Sequence, residues 1–98
     1  MLTLYQAEWC PHSARVRMRL TELGLPFVAK QVEPRQADRD ELRAVTRGDS
    51  IPTLVTEDGE AIEGDHAIIA WLNNRFEDPP TAGGHRAQAR AHGREPSS

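Results

Sequence analysis

The only cysteine of the chain, Cys10, stands in the run Trp9-Cys10-Pro11-His12-Ser13. Pro11 suits the first position of a helix, where its missing N–H is not needed, so a helix is expected to begin directly after the thiol. A side chain at that point faces unpaired backbone N–H groups and the positive end of the helix dipole. A thiolate gains from both, which favours the nucleophilic form near neutral pH. Ser13 lies one turn into the helix, and its hydroxyl is expected to reach the sulfur and hydrogen-bond the thiolate. Most free cysteines are small buried hydrophobes and nothing more. The strand before Cys10 and the proline after it favour the chemical role.

Other side chains near this run are also of types that can do chemistry. His12 is expected to be exposed, able to stack on a substrate or to titrate near neutral pH. Cys10-x-His12 together with a distant His66 lacks zinc-ligand spacing, and His85 and His92 fall in a tail, so no metal site is expected. Trp9 and Trp71 are expected to pack, with Trp9 shielding the thiol. Arg15, Arg17 and Arg19 are expected on a solvated helix face.

The elements that must position Cys10 follow from periodicity. Leu2 to Ala7 alternates apolar and polar residues as a strand does. A helix is expected from Pro11 to Leu23, with Val16, Leu20 and Leu23 spaced i, i+4, i+7, and Gly24 and Pro26 ending it. A second strand runs from Pro26 to Val32, and a charged helix from Pro34 to about Val45. After the loop Arg47-Gly48-Asp49-Ser50, strands Pro52–Thr56 and Glu60–Glu63 flank Asp58-Gly59, a hairpin signal. The last helix is expected to start at Asp65 as N-cap and to bury Ile68, Ile69, Leu72 and Phe76. The order β-α-β-α-β-β-α gives an α/β mixed sheet with helices on both faces, the thioredoxin fold, over residues 1–77. Residues 78–98, with Pro79-Pro80 and Gly83-Gly84, are expected to form a disordered tail. Arg86, Arg90 and Arg94 recur there every fourth residue, a spacing that a partner would turn into one helix face.

Composition narrows the function classes. With 98 residues, 38% hydrophobic and 28% charged, the chain matches one ordinary globular domain. A net charge of -3 argues against nucleic acid as a partner. A lone cysteine rules out an internal disulfide. No basic segment followed by an apolar run opens the chain, and no stretch approaches the roughly 20 apolar residues of a membrane span. The expectation is a cytoplasmic protein with no membrane partner, whose thiol stays reduced.

The run Cys10-Pro11-His12-Ser13 resembles the C-P-x-C or C-P-x-S active site of the glutaredoxin family. It is similar also to the thioredoxin-like N-terminal domain of glutathione S-transferases. Ser50-Ile51-Pro52-Thr53 looks like the loop that, in these families, carries a cis proline before a strand. Gly64-Asp65-His66-Ala67-Ile68 looks like the segment that binds the γ-glutamyl end of glutathione. The resemblance implies that the Ile51 backbone adds a short strand to the cysteinyl part of glutathione. It also implies that Pro52 is cis and that Gly64 and Asp65 form the γ-glutamyl subsite. Arg47 is placed to meet the glycine carboxylate, and Trp9, Pro11 and His12 to line the thiol. Three residues depart from the pattern: Gln6 and Glu8 stand where glutaredoxins carry a lysine, and Asp65 where Ser or Thr is frequent.

Function follows as an expectation: a monothiol thiol–disulfide oxidoreductase with Cys10 and Ser13 at its catalytic centre. No tightly bound cofactor is expected; glutathione or another low-molecular-weight thiol is the co-substrate. Its partners would be glutathionylated or otherwise oxidised proteins, and it would work as a monomer. Two other readings stay open: a glutathione-dependent iron–sulfur cluster carrier, and a non-catalytic binding module like the transferase N-terminal domain.

Overall fold

The apolar residues of β1 (Leu2–Gln6) alternate, and the strand sits where alternation serves best, in the interior of the sheet. The computed structural model describes residues 1–93. Its sheet has the order β2-β1-β3-β4, with β2 spanning Phe27–Gln31, β3 Thr53–Val55 and β4 Ala61–Glu63. β2 runs parallel to β1, whereas β3 is antiparallel to β1 and β4 to β3. Leu4 stands opposite Ala29 on one side and Leu54 on the other, and Leu54 stands opposite Ile62. Period-2 alternation puts Leu2, Leu4 and Gln6 on one face of β1.

Against that face pack α1 (Pro11–Glu22) and α3 (Asp65–Arg75). Leu2, Leu4, Val16, Leu20, Leu23, Leu54, Ile68 and Leu72 form the buried core, joined at its margin by Leu25, Phe27, Ile62, Trp71 and Phe76. The i, i+4, i+7 stripe of α1 is therefore the core stripe. Gly24 ends α1 in the left-handed region at φ 68°, with its N–H bonded to the Thr21 carbonyl and that of Leu25 to Leu20. This is the glycine-closed helix end that the sequence predicts. The mixed sheet and its helices form the thioredoxin-like fold that the order of elements in the sequence predicts.

Two elements differ from expectation. The helix expected from Pro34 begins only at Asp40, as α2 (Asp40–Thr46), after a short 3₁₀ turn over Gln36–Asp38. The Arg39 guanidinium donates to the carbonyls of Glu33 (2.9 Å), Pro34 (3.0 Å) and Asp49 (2.7 Å). It takes up the chain carbonyls that a helix would use and holds the segment in turns.

The larger difference lies in the expected tail, where residues Ala82–Ala91 form a further helix, α4, packed on α1. Only Ala82 of it is buried, so an apolar period could not have revealed it. Charge fixes it instead. Arg86 binds Glu22 (2.8 Å) and Asp78 (2.5 Å), and Arg19 binds the same two carboxylates (3.0 and 2.6 Å), closing a four-membered ring of alternating sign. The segment is expected to be a solvated tail; instead Arg86, the first of the recurring arginines, finds its partners in Glu22 of α1 and in Asp78. Arg94, the last of the series, lies outside the described residues.

Candidate functional site

Cys10 occupies the N-cap of α1 with extended backbone angles, and Pro11 takes the first helical position. The Cys10 N–H bonds back to the Ala7 carbonyl (3.1 Å), and its carbonyl accepts the Ala14 N–H (3.0 Å). These two bonds fix the cysteine between the end of β1 and the first turn. Its side chain is buried and forms no capping hydrogen bond. Because Pro11 has no N–H, the unpaired donors of the first turn are those of His12 and Ser13.

Ser13 is fully buried, and its Oγ accepts the Ala7 N–H at 3.4 Å. Among the described residues no hydrogen bond joins it to the thiol, contrary to expectation. It ties the loop carrying Cys10 to the helix, and the hydroxyl proton remains uncommitted. Trp9, expected to pack over the thiol, is instead 63% exposed. The turn before Cys10 swings its ring outward, away from the core that receives Trp71.

The Ile51–Pro52 peptide is cis, as the resemblance implies. Pro52 is buried, Ile51 half-buried, and Thr53 Oγ1 donates to the Ser50 carbonyl (2.8 Å). The Pro52 carbonyl accepts the Gly64 N–H at 2.9 Å, which locks this loop to the start of α3. Gly64, at φ 92°, is the N-cap of α3. Asp65, expected as the cap, is the first helical residue, because the positive φ of the capping position suits glycine and not aspartate.

Asp65 is where the elements meet. Its Oδ2 accepts from Arg15 Nη1 (2.8 Å) and from His12 Nδ1 (3.1 Å), and its Oδ1 from the His66 N–H (3.0 Å). The carboxylate side chain is only 9% exposed. Burial works to raise its pKa, but the hydrogen bond and charge of His12, with the N–H and charge of His66, carry it below the usual aspartate value. The start of α1, with the thiol, is thereby bonded to the start of α3. Sequence reasoning missed Arg15: it placed the arginines of α1 in solvent, and each has a specific partner. Arg17 binds buried Gln6, the Ala7 carbonyl and Glu8, and Arg19 belongs to the ring at α4. The only sequence signal for Arg15 is its place one turn after His12, since i and i+3 share a helix face.

Arg47 stands apart from this cluster. It ends α2 in the left-handed conformation (φ 66°), exposed and without an ion pair among the described residues. No group of three His, Cys, Asp or Glu there is arranged to hold a metal ion. A hollow of about 530 Å³ opens at the far end of the sheet, between Met1, Leu25, Trp71 and Phe76, and does not include Cys10.

With this geometry in place, residues 4–80 match the model of the glutathione S-transferase N-terminal domain. The chain belongs to that family. Among solved structures it is similar to a glutathione S-transferase from Sinorhizobium meliloti, at a TM-score of 0.70 and 23% identity, covering 92% of this chain and 43% of that one. It is similar also to an Omega glutathione transferase from Trametes versicolor (TM-score 0.69, 24% identity, 92% and 42% covered). An epsilon-class glutathione S-transferase from the housefly, Musca domestica, matches at 30% identity and a TM-score of 0.65, with 78% and 35% covered. The glutathione S-transferase N-terminal-like chain thus spans less than half the length of these transferases. No curated protein sequence matches it.

Proposed function

We propose that this transferase-type domain is a monothiol thiol–disulfide oxidoreductase that uses glutathione and acts through Cys10. The observation that carries the reading is the placement of the single thiol at the N-cap of α1, in a family built around glutathione. The start of the helix sets partial positive charge against the sulfur and favours its attacking, anionic form. A cysteine kept only for packing needs no such position.

The chemistry needs one thiol. The Cys10 thiolate attacks the glutathione sulfur of a mixed disulfide; the S–S bond breaks, and the partner leaves as a thiolate that takes a proton from water. A Cys10–glutathione disulfide remains. A second glutathione thiolate attacks its glutathione sulfur, releasing glutathione disulfide and the Cys10 thiolate. Ser13 forms no disulfide, so the dithiol route is closed. Ile51 beside cis Pro52 offers the backbone edge for the cysteinyl part, the start of α3 the subsite for the γ-glutamyl end, and exposed Arg47 a cation for the glycine carboxylate. Such a protein belongs in the cytoplasm, where its thiol is kept reduced.

The test is turnover of a glutathionylated peptide with reduced glutathione as second substrate. The reading expects ping-pong kinetics, abolished in Cys10→Ser. Turnover that survives that substitution overturns it.

A further inference from the structure

The thiol chemistry makes no use of the cover over Asp65. Three donors hold this carboxylate, and they differ in how readily each gives way. The His66 donor is backbone, fixed in the first turn of α3. Arg15 is largely enclosed, its side chain 28% exposed. His12 is 64% exposed, and the bond to Asp65 is its one side-chain tie among the described residues. Of the three donors, His12 is the one that a ligand cation approaching Asp65 from solvent meets first and can displace.

We propose that His12 is a proton-operated gate over Asp65: as an imidazolium it closes the start of α3 to the ammonium of an α-amino-acid head group, and as a neutral imidazole it yields. The inference rests on the glutathione reading and names the regulation of that same site. A carboxylate only accepts hydrogen bonds, so the ring nitrogen facing Asp65 carries a proton in either state. With the second proton the contact becomes a charge-assisted ion pair, roughly twice as strong as its neutral counterpart. Imidazole is the side chain whose charge changes between about pH 5 and pH 8. Asp65 stays anionic throughout, its pKa being lowered, and Arg15 stays cationic. The other ionisable side chains on these two helix starts are His66, beside Asp65 on α3, and Cys10, at the N-cap of α1.

S-Methylglutathione, which forms no disulfide, is the probe, and its glutaryl analogue, lacking only the ammonium, is the control. Affinities are measured by calorimetry at about pH 5.5 and about pH 8, chosen to bracket imidazole titration. Wild-type protein is expected to bind S-methylglutathione about threefold to fivefold more weakly at the lower pH, the scale of a partly exposed ion pair. His12→Ala is expected to bind equally at both pH values and more tightly than wild type at the lower one, whereas a histidine that merely contacts the ligand gives weaker binding when removed. The glutaryl analogue is expected to show no response that depends on His12, so wild type and His12→Ala should bind it alike at each pH. Weaker binding by His12→Ala at the lower pH, or a response abolished by His66→Gln and not by His12→Ala, overturns the gate and leaves the glutathione reading standing. Failure of both probes to bind at either pH overturns the glutathione reading, and the gate with it.

Discussion

Replacing Asp65 by asparagine removes a charge and an acceptor: with the amide oxygen on the His66 N–H that Oδ1 now takes at 3.0 Å, an NH2 group stands in place of Oδ2. Lost are the bonds from Arg15 at 2.8 Å and His12 at 3.1 Å, both made to Oδ2, and the negative charge at the start of α3. Hydrogen bonds to charged groups contribute about 1.5–3 kcal/mol when enclosed. Here the donors are partly exposed, which reduces each to about 0.2–1 kcal/mol; the charge at the start of the helix adds about 0.3–1 kcal/mol. Asp65→Asn is thus expected to destabilise the fold by about 1–3 kcal/mol at neutral pH, read from urea unfolding. Sign follows from linkage. The folded-state pKa lies below the ordinary 3.8, so the contribution is complete above that value and is lost as pH falls through the lower, folded-state one. The gap between wild type and variant should therefore hold at pH 7 and narrow at about pH 3. Equal stabilities at neutral pH, or a gap that persists undiminished in acid, refute the reasoning.

Other substitutions probe the remaining supports. Leu72→Ala, at a fully buried position of α3, is expected to cost about 2–5 kcal/mol in urea unfolding. Ser13→Ala deprives the Ala7 N–H of its acceptor, and about 1–3 kcal/mol of stability should go with it; an unchanged urea midpoint would show that water replaces the hydroxyl. Asp78→Asn opens the ring that holds α4, so amides of residues 82–91 should exchange faster with deuterium, and wild type in molar salt should shift the same way. Arg19 and Arg86 pull the Asp78 pKa down to about 2. Its contribution is therefore complete above the ordinary aspartate value of 3.8 and lost as pH falls toward about 2, and α4 of the wild type should loosen across that interval.

What the sequence revealed, and what it hid, divides along physical lines. The stripe Val16, Leu20, Leu23 and the alternation in Leu2–Ala7 foretold α1 and β1 because apolar burial is periodic along the chain. Gly24 and Asp58-Gly59 marked a helix end and a hairpin because few residues adopt those backbone angles. Helix α4 went unseen because Arg86, Asp78, Arg19 and Glu22 act through long-range charge pairing, which leaves no period. Asp65 was recognised as a position of interest, yet its partners were not. Arg15 and His12 reach it across 50 and 53 residues of sequence, and only the packing of α1 on α3 brings them together. Arg39 shows the same limit: a side chain that ties three backbone carbonyls decides the local conformation against helical propensity.

The central claim is that Cys10 is a working thiol toward glutathione. Its most direct test is intact-mass analysis after the reduced protein is incubated with glutathione disulfide. One glutathionyl group is expected to be added to the wild type, to be removed again by excess reduced glutathione, and to be absent from Cys10→Ser. Wild-type protein that stays unmodified while a free thiol in the same tube is consumed would contradict it.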